Sequence, residues 1–165
     1  MKPKLIEACE CNNSLYEKVI SIITEFDAEI YFKNLIKNSQ IEQKKIVTTF
    51  QNDLFFELSN KIPKVKWKLE YKPKTDSKDA VDIYGKVQNF IIVVELDKHR
   101  ADQIAKKFLS RTALFAEETI FYISLCYPGT SKMSVNEAKK YFNYCNIVSK
   151  KLGNCYAGFI ISNIS

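Results

Sequence analysis

Hydrophobic residues recur at two different spacings along this chain of 165 residues. Between positions 15 and 58 they recur every three or four residues, which is the period of an amphipathic helix. The residues that follow this period are Val19, Ile22, Ile23, Phe26, Ile30, Ile46, Phe50, Leu54 and Leu58. The pattern predicts two or three helices. Pro63 ends the last of them, because the residue before a proline is disfavoured in the helical region.

From Val65 the hydrophobic period becomes two, which is typical of a strand with one buried face. The apolar positions are Val65, Trp67, Leu69 and Tyr71, and the alternating positions are mostly lysine. A short strand at 80–84, a turn at 85–89 and an apolar strand at 90–96 follow. Together these segments predict a three-stranded meander whose first strand has a basic face.

The remaining segments alternate between helix and strand. The periodicity predicts a helix over 98–115, a strand over 119–127, a helix over 134–152 and a last strand over 156–162. Glu137 stands three residues after Ser134, as in a capping box at a helix start. Because a helix separates the third strand from the fourth, we expect that pair to be parallel and the sheet to be mixed.

Composition indicates one folded α/β domain over 1–165. The chain is 46% hydrophobic and 27% charged, which excludes disordered and collagen-like proteins, and it contains no internal repeat or Gly/Ser linker. We divide the domain into an N-terminal helical extension at 1–38, a core at 39–127, and a C-terminal helix and strand at 128–165. This order predicts a helix, a meander, a helix and a strand around a central mixed sheet flanked by helices.

The net charge indicates the class of partner, and the length of the apolar segments indicates the cellular location. There are 25 Lys and Arg against 19 Asp and Glu, a formal net charge of +6, which favours a polyanion such as nucleic acid. The apolar runs are far shorter than the roughly 20 residues that span a bilayer. The N-terminus MKPKLIEACE lacks a signal-peptide core. We therefore expect a cytoplasmic protein without a membrane partner.

The cysteines do not follow the pattern of a disulfide framework or of a zinc site. The five are Cys9, Cys11, Cys126, Cys145 and Cys155, an odd number scattered along the chain. We therefore predict reduced thiols. Zinc sites usually have two closely spaced ligand pairs, whereas this chain has only one C-x-C pair, so a structural zinc is not predicted.

Acidic residues are concentrated around the hairpin of the meander. Glu95 and Asp97 stand two apart at the end of the apolar strand, so their side chains project from the same face. Asp82, in the preceding strand, can join them across the hairpin. Neighbouring carboxylates repel one another and have raised pKa values unless a cation neutralises them. Hard oxygen ligands favour Mg²⁺ or Mn²⁺, so we predict a metal site here.

A metal at this position suits phosphodiester hydrolysis, because it lowers the pKa of a bound water and offsets charge on the scissile phosphate. The following helix supplies positive charge close to the carboxylates. Its candidate nucleic-acid contacts are Arg100, Gln103, Lys106, Lys107 and Arg111. The lysine face of the strand at 64–72 lies in the same sheet, so a phosphate backbone could be gripped around the metal.

The element order, with Glu95 thirteen positions after Asp82 and a basic helix carrying Gln103, resembles the PD-(D/E)XK nuclease superfamily, which has the restriction-endonuclease-like fold. The resemblance covers roughly 41–127. It implies that Asp82 and Glu95 bind a divalent metal, and that a lysine two residues after the Glu orients or activates the attacking water. Glu57, on the preceding helix, matches the position of an additional acidic ligand in many members.

The chain departs from the family motif at two positions. Val81 stands where the motif has its proline, and Asp97 stands where it has its lysine. Lys98 comes one residue late and is expected to point to the opposite face.

Three arrangements would restore a functional site. A bulge at Leu96 would turn Lys98 inward. Asp97 would itself serve as base or ligand. Alternatively, Lys106 or Lys107 would reach in from the helix. Without one of these arrangements the site is inactive.

These observations together predict a Mg²⁺-dependent endonuclease that hydrolyses DNA. In this prediction Asp82 and Glu95 bind the metal, Asp97 acts as ligand or base, and Lys98 activates water or holds phosphate. Cleavage of both strands by so small a chain favours a homodimer or a larger complex. The alternatives are a catalytically inactive DNA-binding or assembly subunit, an RNA-cleaving enzyme, and a protein-interaction domain whose basic charge is incidental.

Overall fold

The computed structural model describes residues 1–73, 79–98, 100–129 and 134–162. The strands are β1 (Lys4–Ala8), β2 (Lys66–Tyr71), β3 (Val81–Lys86), β4 (Phe90–Lys98), β5 (Thr119–Tyr127) and β6 (Cys155–Ile160). The helices are α1 (Ser14–Glu25), α2 (Glu29–Phe32), α3 (Gln40–Lys61), α4 (Ala101–Leu114) and α5 (Val135–Lys151), with a 3₁₀ turn at Leu35–Lys37. Within the described ranges, no helix is both long enough and apolar enough to cross a membrane.

The six strands form one mixed sheet in the order β1-β6-β5-β4-β3-β2. β2, β3 and β4 pair antiparallel as the predicted meander. β4 and β5 pair parallel across the α4 crossover, and β5 and β6 do the same across α5. The predicted α/β class, the mixed sheet and the parallel fourth strand are therefore confirmed.

The N-terminal segment differs from the prediction, because it contributes a strand to the sheet. β1 pairs antiparallel with β6 at one sheet edge. Its five residues are exposed or half-buried, so the hydrophobic alternation that reveals a strand is weak there.

The predicted turn at 85–89 also begins too early, since β3 continues to Lys86. Gly85 belongs to the strand, since it pairs with Trp67 of β2 and Ile92 of β4, and it has no room for a side chain because a Cβ there would lie 2.9 Å from the Trp67 ring.

Side-chain caps fix the starts of α1, α3 and α5. Asn13 accepts hydrogen bonds from two backbone N–H groups of α1. Ser39 and Glu42 form a reciprocal capping box at α3. Ser134 caps α5 by accepting from the Glu137 N–H, as its position in the sequence predicts. α3 ends at Lys61, two residues before Pro63, as expected.

The sheet separates two hydrophobic cores, and β4 contributes to both because successive side chains point to opposite faces. Ile92, Val94 and Leu96 face the core that contains α1 and α3. Ile91 and Val93 face the core that contains α4 and α5. Every side chain from Ile91 to Asp97 is buried. This burial on both faces explains the continuous apolar run in the sequence.

Both edge strands are irregular. In β2, Glu70 has a φ of 47°, in the left-handed region that non-glycine residues rarely adopt. In β1, the pairing with β6 shifts register between Leu5 and Glu7. Neither edge therefore presents an uninterrupted row of backbone hydrogen-bonding groups.

Two cysteines are bonded, contrary to the prediction that all are reduced. Cys11, just before α1, forms a disulfide with Cys155 at the start of β6, with 6.3 Å between their Cα atoms. Cys9, Cys126 and Cys145 are free and buried. The two bonded cysteines are 144 positions apart. The pairing was missed because the topology, rather than their sequence spacing, brings them together.

Candidate functional site

The predicted acidic residues meet where β3 begins and β4 ends. Because β3 and β4 pair antiparallel, Asp82 near the start of one strand lies beside Glu95 and Asp97 near the end of the other. Glu95 and Asp97 project toward α4. The Asp82 carboxylate accepts a hydrogen bond from the Leu96 backbone N–H at 2.7 Å. This bond fixes the orientation of Asp82 across the hairpin.

The ammonium group of Lys107 lies at the centre of these carboxylates. Its Nζ is 3.1 Å from Asp82 Oδ2, 2.9 Å from Glu95 Oε2 and 3.3 Å from Asp97 Oδ1. It also donates a hydrogen bond to the Leu96 carbonyl at 3.0 Å. Since α4 places this side chain over the end of β4, the geometry matches the predicted arrangement in which a helix lysine reaches the carboxylates. Lys106, one residue earlier, is exposed.

Arg111, one turn further along α4, contacts the same cluster. Its Nε donates to Glu95 Oε1 at 2.7 Å, and its Nη2 donates to the Ala80 carbonyl at 2.7 Å. A second ion pair joins it to Asp79. Arg111 is only 5% exposed, so its predicted role as a surface contact for nucleic acid does not fit its position. It instead anchors Glu95 from the side opposite Lys107.

Burial and charge set the protonation of the cluster. Burial, reinforced by the Asp82 carboxylate, raises the pKa of Glu95 to about 8, although Lys107 and Arg111 oppose the shift. Burial likewise raises the pKa of Asp97. Burial alone would lower the pKa of Lys107, but Glu95, Asp82 and Asp97 together raise it. The cluster therefore holds Lys107 as a cation, while burial opposes ionisation of Glu95 and Asp97.

The carboxylate oxygens are of the type that a hard divalent cation prefers, but Asp82, Glu95 and Asp97 do not bring one oxygen each within 4.8 Å of the other two. Asp97 Oδ2 is buried and has no hydrogen-bond partner, so it has lone pairs available for a further cation. Asp82 Oδ2 and Glu95 Oε2 both contact Lys107 Nζ and therefore lie within about 6 Å of each other. The three carboxylates surround the ammonium rather than closing on one another, so a metal between them requires Lys107 to shift.

A groove of about 350 Å³ opens on the α3 side of the same sheet end. It is lined by Gln40, Gln43, Lys44, Val47, Thr48, Gln51, Glu70, Asp82, Leu96, Lys98 and Tyr127. Asp82 is thus the acidic residue that both lines the groove and contacts Lys107. Glu95 and Asp97 lie behind it, on the α4 side.

Lys98 lines this groove and does not join the carboxylates through a bulge. β4 pairs with β5 in continuous register from Phe90 to Lys98, so the bulge at Leu96 that would turn Lys98 inward is absent from this pairing. The Lys98 ammonium instead lies 3.5 Å from the Gln43 side-chain oxygen on α3. It remains available to a phosphate in the groove, on the opposite face from Asp97.

Other predicted residues lie outside the cluster. Glu57 forms an ion pair with Lys61 on the same helix and does not line the groove. This position does not support its predicted role as an additional acidic ligand, because an earlier part of α3, including Gln43 and Gln51, faces the sheet end. Arg100 pairs with Asp102, and Gln103 donates to the same carboxylate, so both lie on the exposed start of α4.

The sequence interpretation missed Gln51 and Glu70. The Gln51 side-chain amide donates to Glu70 Oε1 and to the Asp82 carbonyl, each at 2.7 Å, and so joins α3 to β2 and β3. Glu70 is the one acidic residue among the alternating lysines Lys64, Lys66, Lys68 and Lys72. This break in the pattern could have identified Glu70 from the sequence. Gln51 had no comparable signal, because a polar residue on a helix is ordinarily exposed.

Comparisons with family models, with curated proteins and with solved structures found no match for this chain. The resemblance to the PD-(D/E)XK superfamily therefore stays a prediction from sequence.

Proposed function

We propose that this protein is a divalent-metal-dependent nuclease that hydrolyses DNA phosphodiester bonds. The observation that carries the proposal is the convergence of Asp82, Glu95 and Asp97 on the Lys107 ammonium, at the end of a groove with basic side chains. Carboxylates gathered with a lysine at a strand end supply the groups that phosphodiester hydrolysis requires.

In this proposal Asp82, Glu95 and Asp97 would hold Mg²⁺ or Mn²⁺. The bound ion would supply Lewis-acid stabilisation of the charge that develops on the phosphate. Lys107 would move from the centre of the carboxylates to their edge, where its ammonium orients a water molecule or a phosphate oxygen by hydrogen bonding. Arg111 keeps Glu95 in place during this movement, because its bonds to Glu95 and to Ala80 do not depend on Lys107.

The groove supplies the contacts for the substrate backbone. Lys44 and Lys98 line it from α3 and β4, and Gln43 and Thr48 add uncharged hydrogen-bonding groups. Phosphate contacts of this kind position a nucleic acid without reading its sequence. The proposed backbone contacts therefore lie in the groove as well as on the exposed start of α4, where Arg100, Gln103 and Lys106 remain candidates.

The same observations support a second candidate, a nuclease-fold subunit that binds DNA but does not cleave it. Lys107 already neutralises the carboxylates, and the groove reaches Asp82 but not Glu95 or Asp97. In an inactive subunit the ammonium would be a permanent substitute for a metal. The two candidates differ in whether added divalent metal produces cleavage.

The experiment that separates them measures nicking of supercoiled plasmid by the full chain with Mg²⁺, with Mn²⁺ and with a chelator. We expect metal-dependent nicking that falls by at least about a hundredfold in Glu95→Gln and in Asp82→Asn. Glu57→Gln is the matched control, since this α3 acid pairs with Lys61 outside the cluster. The control is expected to retain wild-type activity.

Binding to DNA at several salt concentrations completes the test. A chain that binds DNA in a salt-dependent way but never cleaves it would contradict the nuclease proposal and support the inactive subunit. Faster cleavage of a matched RNA would contradict DNA as the substrate while supporting the site. Absence of both binding and cleavage would contradict both candidates and support a protein-interaction domain.

A further inference from the structure

A second group of ligand-type side chains lies away from the carboxylates, near the N-terminal end of β6. The sulfur atoms of Cys9, Cys11 and Cys155 all lie within 4.8 Å of one another. In the described part of the chain, no other group of three cysteine, histidine or acidic side chains has its ligand atoms this close together. Cys9 is buried, whereas the other two are partly exposed and accessible to an ion from solvent.

A disulfide accounts for only two of these three sulfur atoms. Cys11 and Cys155 are bonded to each other, and Cys9 remains a free thiol beside them. The Cys9 segment is held firmly, because the Cys9 backbone N–H donates to the Tyr156 carbonyl at 3.0 Å. The fold itself therefore places the Cys9 sulfur beside the other two, and the disulfide does not require a third sulfur there.

Two polar groups contact the Cys9 sulfur. Its Sγ accepts a hydrogen bond from the Tyr156 backbone N–H at 3.2 Å, a donor that stabilises negative charge on sulfur. Its own S–H donates to the Tyr16 hydroxyl oxygen at 3.6 Å, a contact that a metal would replace. α1 begins at Ser14, shortly after Cys11, and the positive end of its dipole favours anionic ligands nearby.

We propose that Cys9, Cys11 and Cys155, when reduced, form a three-thiolate site for one thiophilic divalent cation of the zinc class. Three soft sulfur ligands select such an ion over Mg²⁺ or Mn²⁺, and the fourth coordination position is left to water or to a small ligand. A two-electron reductant first converts the disulfide to two thiols. The cation then replaces the protons of the three thiols, and these are released to solvent.

Cobalt(II) is the probe for this site, because its visible spectrum reports thiolate coordination directly. The full chain is reduced with a phosphine under anaerobic conditions and titrated with Co²⁺ alone. We expect sulfur-to-cobalt charge-transfer bands and intense ligand-field bands that saturate at one ion per chain. Added Zn²⁺ is expected to displace Co²⁺ and abolish the bands, since zinc binds thiolate sites more tightly.

Variants assign the ligands. Cys11→Ser and Cys155→Ser, at partly exposed positions, are each expected to weaken Co²⁺ binding at least about tenfold or to abolish the charge-transfer bands. Cys145→Ala is the matched control, because this thiol is buried in the other hydrophobic core. It is expected to leave the spectrum unchanged.

The proposal is overturned by a reduced wild-type chain without charge-transfer bands, or by a Cys11→Ser or Cys155→Ser variant that keeps both the bands and the Co²⁺ affinity of the wild type. Bands that Cys145→Ala abolishes would also overturn it. A melting temperature of the reduced chain that rises with Zn²⁺ in the wild type, but not in Cys155→Ser, supports the site independently of spectroscopy.

Discussion

The carboxylate cluster and the cysteine cluster lie on opposite faces of the same sheet and are built differently. Asp82, Glu95 and Asp97 come from one hairpin, and α4 supplies their cations. The cysteines come from the two ends of the chain and meet across the β1–β6 pair. The carboxylates are hard ligands whose negative charge is already balanced by Lys107 and Arg111. The sulfur atoms are soft ligands, and two of the three are bonded to each other in a disulfide. Each cluster is therefore expected to select a different class of ion.

The largest expected effect is that of Lys107→Ala. Removing the ammonium leaves three carboxylates together in a buried site, which costs about 3–5 kcal/mol in the free energy of unfolding. Urea denaturation measures this loss, and Mn²⁺ is expected to restore part of it by taking the place of the ammonium. Lys106→Ala, at the exposed neighbouring position, is the control and is expected to change stability by less than about 0.5 kcal/mol. Equal effects of the two variants would contradict the central role of Lys107.

A smaller effect is expected at the cysteine cluster. In the oxidised chain, Cys155→Ser removes the link between residues 144 positions apart and is expected to lower stability by about 2–4 kcal/mol. In the reduced, metal-free chain the same substitution is expected to have a much smaller effect. Denaturation with and without reductant tests this difference, and a similar loss under both conditions would show that the serine disturbs packing instead.

The pH dependence of Mn²⁺ binding is expected to depend on the carboxylate cluster and not on the cysteine cluster. The pKa of Glu95 is raised to about 8 because the group is buried, so below that pH a metal must displace its proton. Mn²⁺ affinity is expected to rise about tenfold per pH unit up to that value and then to level off. Calorimetric titration between pH 6 and pH 9 measures this, and Cys155→Ser is expected to leave the profile unchanged. A flat profile in the wild type would contradict metal binding by Glu95.

The raised pKa of Glu95 also has a consequence for stability. Between the ordinary value of 4.5 and about 8, the folded chain retains a proton that the unfolded chain has lost. The contribution of this group to stability therefore falls as pH rises through that range. In Glu95→Gln this component is absent, so the stability of the variant is expected to depend less on pH.

The smallest expected effect is that of Gln51→Ala. The substitution removes the hydrogen bonds from the side-chain amide to Glu70 and to the Asp82 carbonyl, and a loss of about 1 kcal/mol in stability is expected. Gln43→Ala, on the same helix and at the rim of the groove, is the comparison variant. A larger effect of Gln43→Ala would mean that Gln51 does not support the start of β3.

The secondary structure was predictable in segments where the hydrophobic pattern or a capping residue identifies the element without reference to distant residues. The alternation in β2, the apolar run of β4 and the Ser134 cap each identify their elements correctly. β1 was not predictable, because its stability comes from pairing with β6 at the far end of the chain. Propensity within five residues carries no information about that partner.

The candidate site follows the same rule. Glu95 and Asp97 were identifiable because their spacing on a strand fixes a common face. Which lysine reaches them depends on how α4 packs over the sheet, and the sequence left Lys98, Lys106 and Lys107 as alternatives. The cysteine cluster was missed for the reason that hid β1, since both depend on contacts between the two ends of the chain.

The irregular edges of the sheet affect how copies of this chain meet in concentrated solution. A six-stranded sheet with two straight edges could extend from molecule to molecule by adding strand to strand. Here the left-handed backbone at Glu70 makes one edge irregular, and the shifted register between Leu5 and Glu7 interrupts the other. These two irregularities are expected to protect the chain from polymerising through its own edges, and a straight β2 would remove that protection on one side.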